Sequence, residues 1–216
     1  MARPKGNRES TVARREAILE AGLEIFGRNG YNGASLTQVA DLVGITDATV
    51  VHHFGSKRQL MLDVLARRDE ITREQLRTNE DSGISYICGW LDLVEYNTNH
   101  AGIVELYTVL AAEATMTDHP AHDYFINRYH YIFGRLRETF DQLAGKGHLA
   151  TSRTSDELAQ AITALSDGLQ VQWLLNRNTP VMEHHKHFLQ NILTPEAWEL
   201  VLKMRSPLPQ QELILV

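Results

Sequence analysis

The sequence has little with which to form disulfide bonds or attach to a membrane. It contains one cysteine, Cys88, which excludes an internal disulfide and favours a reducing compartment. It has no apolar run of about 18 residues and no signal-peptide segment at its N-terminus, so we expect a cytoplasmic protein. The 216 residues are 43% hydrophobic and 22% charged, a balance typical of globular proteins with a sizeable core and one or two domains.

The motifs of common enzyme classes are also missing. The sequence has no phosphate-binding loop, no Ser-His-Asp or Cys-His arrangement with local support, and no spacing typical of metal ligands. Cys88 lies among apolar residues, which favours an inert packed thiol over a nucleophile. We therefore expect no enzymatic activity, no cofactor and no metal.

Histidines nevertheless cluster in two places. The clusters are His119 with His122, and His184 and His185 with His187. A zinc site needs about four converging ligands, and nothing in the sequence brings a thiolate or further imidazoles to these positions. We interpret the second cluster as a solvated helical face.

The net charge of -6 looks unsuited to binding nucleic acid, but the charge is unevenly distributed. Residues 1–60 carry eight Lys/Arg and six Asp/Glu, whereas the remaining residues carry 13 Lys/Arg and 21 Asp/Glu. A basic N-terminal part can approach phosphates while an acidic remainder is repelled, which orients the approach.

The stretch 15–65 predicts three short helices followed by the start of a longer one. The first helix has an apolar face and is broken at Gly30 and Gly33. Ser35 and Gln38 have the spacing of a capping box, which predicts that a second helix begins there.

A sharp turn is expected between the second and third helices. Gly44 permits the turn, and Thr46 can cap a third helix whose apolar anchors are Val50 and Phe54. A helix, a Gly-containing turn and a short second helix are typical of a helix-turn-helix reader of the major groove. The alternative is a small packed bundle of three helices without a binding function.

The same stretch resembles the DNA-binding domain of the TetR family of transcriptional repressors. The ordered matches are Ile18, Leu19, Ala21, Phe26, Gly30, Tyr31, Ser35, Leu36, Thr37, Val39, Ala40, Val43, Gly44, Ile45, Thr46, Thr49, His53, Phe54, Lys57 and Leu60. Ala48 stands where the family often has Gly, and Val51 where it usually has a Tyr that touches the DNA backbone. Val51 offers a methyl surface that could meet a thymine methyl.

The resemblance implies which residues contact DNA. We expect base contacts from Asp47, Ala48, Val51 and His52, and phosphate contacts from Thr37, Thr49, His53 and Lys57, with Thr46 at the start of the same helix. Asp47 could accept a hydrogen bond from a cytosine amino group, or it could instead support the N-terminus of its helix.

Residues 1–13 predict a flexible basic arm that contains Arg3, Lys5 and Arg8. Such an arm either adds phosphate or minor-groove contacts or only makes the terminus more soluble.

The rest of the chain predicts only helices. These are expected over 57–77, 84–99, 102–115, 120–144, 154–175, 181–193 and 195–204, with a polar boundary at 78–83. The fold class is therefore all-α, with about nine or ten helices. The expected divisions are an arm 1–13, a helix-turn-helix domain 14–56, a connecting helix 57–77, an effector-binding and dimerisation domain 78–206 and a tail 207–216.

The resemblance also implies that the C-terminal helices enclose a small-molecule site and form a four-helix dimer interface. The pocket candidates are Trp90, Tyr107, Met116, Phe125 and Tyr129, with Asn97, Glu113 and Arg128 as polar candidates. The dimer candidates are Leu165, Gly168, Leu169, Gln172 and Trp173. The alternatives are that the aromatic residues belong to the core and that the late helix lies inside a monomeric bundle.

These features lead to one interpretation. We expect a homodimeric repressor that is released from a palindromic double-stranded DNA operator by a small, mostly hydrophobic effector, because a two-fold dimer can read a palindrome twice. The alternatives are an activator, a DNA-binding regulator without an effector, and an enzyme with a helical active site.

Overall fold

A computed structural model of the chain describes residues 5–76 and 83–205. Ten helices are described in these ranges. They are α1 (Lys5–Gly33), α2 (Leu36–Val43), α3 (Asp47–Phe54), α4 (Lys57–Gln75), α5 (Ile84–Asn99), α6 (Ala101–Glu113), α7 (His122–Gly145), α8 (Ser155–Leu175), α9 (Val181–Ile192) and α10 (Pro195–Met204). Outside the helices, the same ranges contain a single isolated bridge between Leu149 and Leu193. The predicted all-α class is confirmed.

Helix α1 differs most from expectation, because it begins at Lys5. The expected flexible conformation is therefore wrong for residues 5–13, which are helical. Extending an existing helix requires no new nucleation, and this segment contains no proline to interrupt it. Arg3, most of the expected boundary 78–83 and the tail 207–216 lie outside the described residues.

The described residues form two compact units by their internal contacts. The first contains the described parts of 1–71 and 101–126, and the second contains those of 72–100 and 127–216. The expected division at 14–56, 57–77 and 78–206 stays a prediction.

In the first unit, α1, α4 and α6 bury the largest apolar side chains. Fully buried side chains of this unit include Ile18, Phe26, Leu60, Met61, Leu65, Leu106 and Leu110. At Gly30 the chain of α1 leaves helical geometry, with φ 66° and ψ -175°, so the last turn of α1 takes a new direction. This confirms the expected break at Gly30.

In the second unit, the histidine cluster on α9 is only partly solvated. His184 and His187 are exposed as expected, but His185 is 1% exposed. Its Nδ1 lies 2.9 Å from the carbonyl of Val181, and its Nε2 lies 2.7 Å from the hydroxyl of Ser166 on α8. The solvated interpretation is wrong for His185, because the helical period places it on the face that packs against α8. Within residues 5–76 and 83–205, no three His, Cys, Asp or Glu side chains are grouped to hold a metal ion.

Cys88 on α5 is buried, and its thiol donates to the carbonyl of Val201 on α10 at 3.6 Å. This confirms the expected packed thiol. Among the described helices, none is both long enough and apolar enough to cross a bilayer.

Candidate nucleic-acid interface

The helix-turn-helix begins with the predicted capping box. The Ser35 hydroxyl accepts a hydrogen bond from the Gln38 N–H at 3.1 Å, and the Ser35 N–H donates to Gln38 Oε1 at 2.8 Å. These bonds satisfy two polar groups that the first turn of α2 would otherwise leave without partners. The box therefore fixes where α2 begins.

The turn after α2 also follows the sequence prediction. Gly44 has φ 73°, a left-handed conformation that glycine adopts without steric cost. Its N–H donates to the carbonyls of Ala40 and Asp41, and the Thr46 hydroxyl then accepts from the Thr49 N–H at 3.3 Å to begin α3. Both the turn and the Thr46 cap are confirmed.

Helix α3 has one buried and one exposed face. Val50 and Phe54 are buried, as expected. The residues predicted to face the bases, Asp47, Ala48, Val51 and His52, are all exposed. Since they recur at intervals of three and four residues, they share one face of the helix. The structure thus brings all four together on one exposed face of α3, and their contact with DNA stays a prediction.

Asp47 also has a role within the protein. Its carboxylate accepts a hydrogen bond from the Thr37 hydroxyl at 2.7 Å, which joins the first turns of α2 and α3. The carboxylate also lies in the first turn of α3, where negative charge is favourable. The supporting role is therefore visible, while a contact to cytosine stays a prediction.

Lys57, predicted to bind phosphate, is held within the protein. Its ammonium donates to the carbonyls of Tyr31 at 2.8 Å and Ala34 at 2.9 Å, and it lies 4.4 Å from the centroid of the Tyr31 ring. These bonds tie the start of α4 to the end of α1. Sequence reasoning missed this structural role, because the partners are backbone groups more than 20 residues away.

His53 and Thr49 are half-buried. Partial burial lowers the pKa of His53, and the neighbouring charges of His52, Arg14 and Arg15 lower it further. The ring is therefore neutral at pH 7, where it still carries one N–H that can donate to a phosphate.

The pocket candidates fall in both compact units. In the first unit, Tyr107 and Phe125 are buried with their ring centroids 5.3 Å apart, whereas Met116 is 65% exposed in the turn after α6. In the second unit, Tyr129 donates to Asp167 at 2.7 Å, and Trp90 is buried. Among the described residues, no hydrogen-bond acceptor is found for the Trp90 indole N–H.

The dimer candidates on α8 differ in how far they are buried within the single chain. Leu169 and Trp173 are buried within the single chain, so they already pack in the interior of the second unit. Gly168 and Gln172 are exposed, and Leu165 is half-buried. Two apolar residues that sequence reasoning did not select, Val171 and Leu175, are 45% and 85% exposed.

Comparisons with known families match two regions of the chain. The family profile described as "Bacterial regulatory proteins, tetR family" matches residues 18–64, which include the helix-turn-helix. The profile described as "BetI-type transcriptional repressor, C-terminal" matches residues 100–194.

A curated relative matches in sequence over a shorter range. The HTH-type transcriptional activator FasR of Mycolicibacterium smegmatis is 37% identical over 82 residues. This alignment covers 36% of the present chain and 37% of that relative, so the chain matches little more than a third of the relative's length.

Solved structures match over most of the chain. A TetR-family regulator from Agrobacterium tumefaciens has a TM-score of 0.74 at 18% identity, covering 85% of this chain and 100% of that one. A transcriptional regulator from Saccharomonospora viridis, solved in complex with choline, has a TM-score of 0.63 at 24% identity, covering 83% and 97%. At these identities the likeness shows the fold alone. With the two family profiles and the helix-turn-helix geometry, it follows that the chain belongs to the TetR family of DNA-binding transcriptional regulators.

Proposed function

We propose that the chain is a homodimeric repressor that binds a palindromic operator through α3 and is released by a small, mostly hydrophobic effector. The observation that carries this proposal is the exposed face of α3 with Asp47, Ala48, Val51 and His52. These side chains offer an acceptor, two methyl surfaces and an imidazole, which are groups that can contact base edges in the major groove. The protein would act in the cytoplasm.

Residues around this face would hold the phosphates. Thr37 is exposed at the start of α2, and Thr49, His53 and Lys57 are half-buried beside α3. Thr46, at the N-cap of α3, places the first N–H groups of the helix where an anion is favoured. Lys57 uses two of its three N–H donors on backbone carbonyls, so its contribution to DNA binding is mainly its positive charge.

The basic N-terminal segment would add to this electrostatic attraction. Lys5 and Arg8 lie on the first turns of α1, and Arg3 lies outside the described residues. Deletion of residues 1–9 is expected to weaken binding and to flatten the dependence of affinity on salt, since fewer counterions are released. An unchanged salt slope would exclude this segment from the interface.

A dimer is proposed because α3 has only eight residues and can contact few base pairs. The exposed part of α8 supplies a surface for it. Gly168, Val171, Gln172 and Leu175 recur at intervals of three and four residues, and each is exposed. Leu175 in particular exposes 85% of its surface, which favours burial against a second subunit.

The effector is proposed to be small and mostly hydrophobic, with at least one hydrogen-bond acceptor. In the first unit, Tyr107 and Phe125 offer aromatic surface. In the second unit, Trp90 and Tyr129 do so, and the buried indole N–H of Trp90 can donate to such an acceptor. Met116 is a weaker candidate than these four because it is exposed.

The choline bound by the Saccharomonospora viridis regulator suggests a cation as an alternative effector. One face of Tyr107 is already covered, since the Arg68 guanidinium carbon lies 4.1 Å from its ring centroid. The guanidinium pairs with Asp69 at 3.6 Å, and it occupies a ring face that a cationic ligand could otherwise use. We therefore favour a neutral effector near Tyr107.

Selection of bound duplexes from a random DNA pool tests the DNA-binding part. The wild-type chain is expected to recover a two-fold symmetric sequence, and Val51→Ala and His52→Ala are expected to change the preferred bases within each half-site. His184→Ala, which alters an exposed histidine on α9, serves as the control and should recover the wild-type sequence. If the α3 variants recover the wild-type sequence as well, α3 does not read the bases.

Release by an effector needs a separate test. A library of small hydrophobic compounds can be screened for those that raise the melting temperature of the protein, and the hits added to its complex with the selected duplex. Loss of DNA binding supports the release mechanism. Stabilising compounds that leave DNA affinity unchanged would contradict it.

An activator or an effector-independent regulator would use the same fold. The relative FasR is named an activator, and the C-terminal family profile is named for a repressor. Deletion of the gene separates these roles in a reporter assay. Expression from the target promoter rises when a repressor is lost and falls when an activator is lost.

A further inference from the structure

The C-terminal end of α3 is held by a side chain that the base-contact prediction did not include. Arg15, on α1, donates from Nη1 to the backbone carbonyl of His53 at 3.2 Å. Its Nη2 donates to the carboxylate of Asp63 on α4, and its guanidinium carbon lies 4.3 Å from the centroid of the Phe54 ring. One planar group on α1 therefore contacts both α3 and α4.

This contact lies where α3 most needs support. The helix has eight residues and only two buried ones, Val50 and Phe54, and its last carbonyls have no partners within the helix. A cation at a helix C-terminus is also electrostatically favourable. Asp63, which orients the guanidinium, is itself held by Gln59, whose amide donates to its second oxygen at 2.8 Å.

We propose that Arg15 is a positioning residue for DNA recognition, and this inference rests on the proposed reading of DNA by α3. The fork of Arg15 sets the C-terminal half of α3 relative to α1 and α4. Val51 and His52, which lie two residues and one residue before His53, then reach the base edges with a fixed geometry. The guanidinium is suited to this task because its planar donors point in fixed directions while its face covers an aromatic ring.

The partial exposure of the Arg15–Asp63 ion pair indicates that the pair mainly fixes the position of α3 and adds little to folding stability. The Arg15 side chain is 41% exposed and that of Asp63 is 23% exposed, and exposed ion pairs contribute little to folding stability. A contact to bases, in contrast, depends on small displacements of the helix that carries it. Substitution of Arg15 is therefore expected to change recognition more than it changes the melting temperature.

The test compares two duplexes bound by the full chain. One is the sequence that the wild-type protein selects from the random pool, and the other has the same composition in scrambled order. Arg15→Lys keeps the charge but loses the fork and the ring contact. This variant is expected to bind the selected duplex about tenfold more weakly, which is within the range of one lost base contact. Its affinity for the scrambled duplex and the salt dependence of binding should stay unchanged. Arg14→Lys, at an exposed neighbouring arginine, is the matched control and should match the wild type on both.

Asp63→Asn separates positioning from charge. Removing a carboxylate close to the DNA-binding surface should strengthen binding if charge alone matters. The positioning role predicts the opposite sign, because the amide no longer holds the guanidinium, and the selected duplex should be bound more weakly. This variant also keeps the proposal testable if Arg15→Lys fails to fold, as judged by circular dichroism.

Three results would overturn the inference. Arg15→Lys that binds the selected duplex like the wild type would show that the fork is not needed. Equal losses on both duplexes in an Arg15→Gln variant, with the salt slope reduced by about one, would identify a phosphate contact instead. Tighter binding of the selected duplex by Asp63→Asn would show that Asp63 affects DNA binding through its charge and not by holding Arg15. A wild-type chain that selects no sequence would refute the reading of DNA by α3 itself, a failure distinct from these three.

Discussion

The carboxylate of Glu113, the last residue of α6, accepts a hydrogen bond from the backbone N–H of Tyr31 at 2.6 Å. The backbone carbonyl of Tyr31 accepts a hydrogen bond from Lys57 at 2.8 Å, so distant side chains hold both backbone polar groups of this residue. His119 Nε2 lies 3.5 Å from the same carboxylate. Glu113, a polar candidate for the effector site, therefore has a defined role in joining α6 to the end of α1.

This link explains why Gly30 is needed. Its φ of 66° and ψ of -175° lie in a region that is essentially restricted to glycine, and an added Cβ would lie 2.2 Å from Glu113 Oε1. We predict that Gly30→Ala lowers the free energy of unfolding by at least about 1–3 kcal/mol, the cost of the backbone conformation alone. Chemical denaturation measures the change.

Two further variants separate the causes. In the double variant Gly30→Ala with Glu113→Ala, the steric conflict is removed but the backbone cost remains, so the loss from Gly30→Ala should be smaller than in the wild-type background. Gly134→Ala is the control, because nothing lies within 4 Å of its added Cβ and the residue is inside α7. It should raise stability by roughly 0.5–1 kcal/mol. Equal effects at both glycines would contradict this explanation.

Lys57 is predicted to matter for folding as well as for DNA binding. Lys57→Met removes two hydrogen bonds from a charged donor and a cation–π contact. Hydrogen bonds to charged groups contribute about 1.5–3 kcal/mol, and partial exposure places the expected loss toward the lower end. Denaturant titration of the variant without DNA gives this value directly.

The neighbouring residue supplies a control for Lys57. Arg58 is exposed at the start of α4, so Arg58→Met changes the same charge without removing the bonds to Tyr31 and Ala34. Its stability should stay close to that of the wild type. Should Lys57→Met be equally stable and only reduce the salt slope of DNA binding, Lys57 would be a phosphate ligand without a structural role.

His185 is predicted to make folding stability depend on pH. Burial lowers its pKa from the ordinary value of 6.5, and the neutral ring donates from Nδ1 to Val181 and accepts from Ser166 at Nε2. The unfolded chain therefore takes up the proton first as the pH falls. The contribution of His185 to stability is fully present above about pH 6.5 and is lost as the pH falls from there toward the folded-state pKa.

Unfolding free energies at pH 7.5 and pH 5.5, chosen on either side of about pH 6.5, test this. His185→Gln should be less stable than the wild type at the higher pH. Its free energy of unfolding should fall less than that of the wild type when the pH is lowered. His187→Gln, at an exposed histidine of the same helix, should keep the pH dependence of the wild type. Identical pH profiles for the wild type and His185→Gln would show that another group is responsible.

The exposed side of α8 is predicted to form the dimer interface. Val171→Glu and Leu175→Glu would place carboxylates in a surface that is apolar in the proposed dimer, so both should shift the protein toward monomers. Sedimentation velocity measures the change. Gln190→Glu, at an exposed position on α9, is the control and should leave the mass unchanged. A dimer that survives both α8 substitutions would place the interface on another surface.

Most of the helix-turn-helix could be predicted because its signals are local. The Ser35 box, the Gly44 turn and the Thr46 cap each involve residues within a few positions of one another, so the chain itself specifies them. The buried Val50 and Phe54 also follow from helical spacing. The residues on the opposite face of α3 were therefore predicted to be exposed, and they are.

The arm was predicted poorly for a related reason. Residues 5–13 have the polar composition of a flexible segment, and composition does not report that the stable helix after them can be extended. The same limit applies to His185, whose environment depends on Ser166 and on the packing of α9 against α8.

The sequence by itself determined the all-helical class, the helix boundaries set by local caps and turns, and the exposed face of α3. It could do so because capping, glycine conformations and helical period act over a few residues. Only the tertiary structure decided that Arg15 supports the end of α3, that Lys57 and Glu113 hold Tyr31 from two sides, and that His185 is buried. These partners lie 26 to 82 residues apart in the first two cases, and no local pattern in the chain brings such groups together.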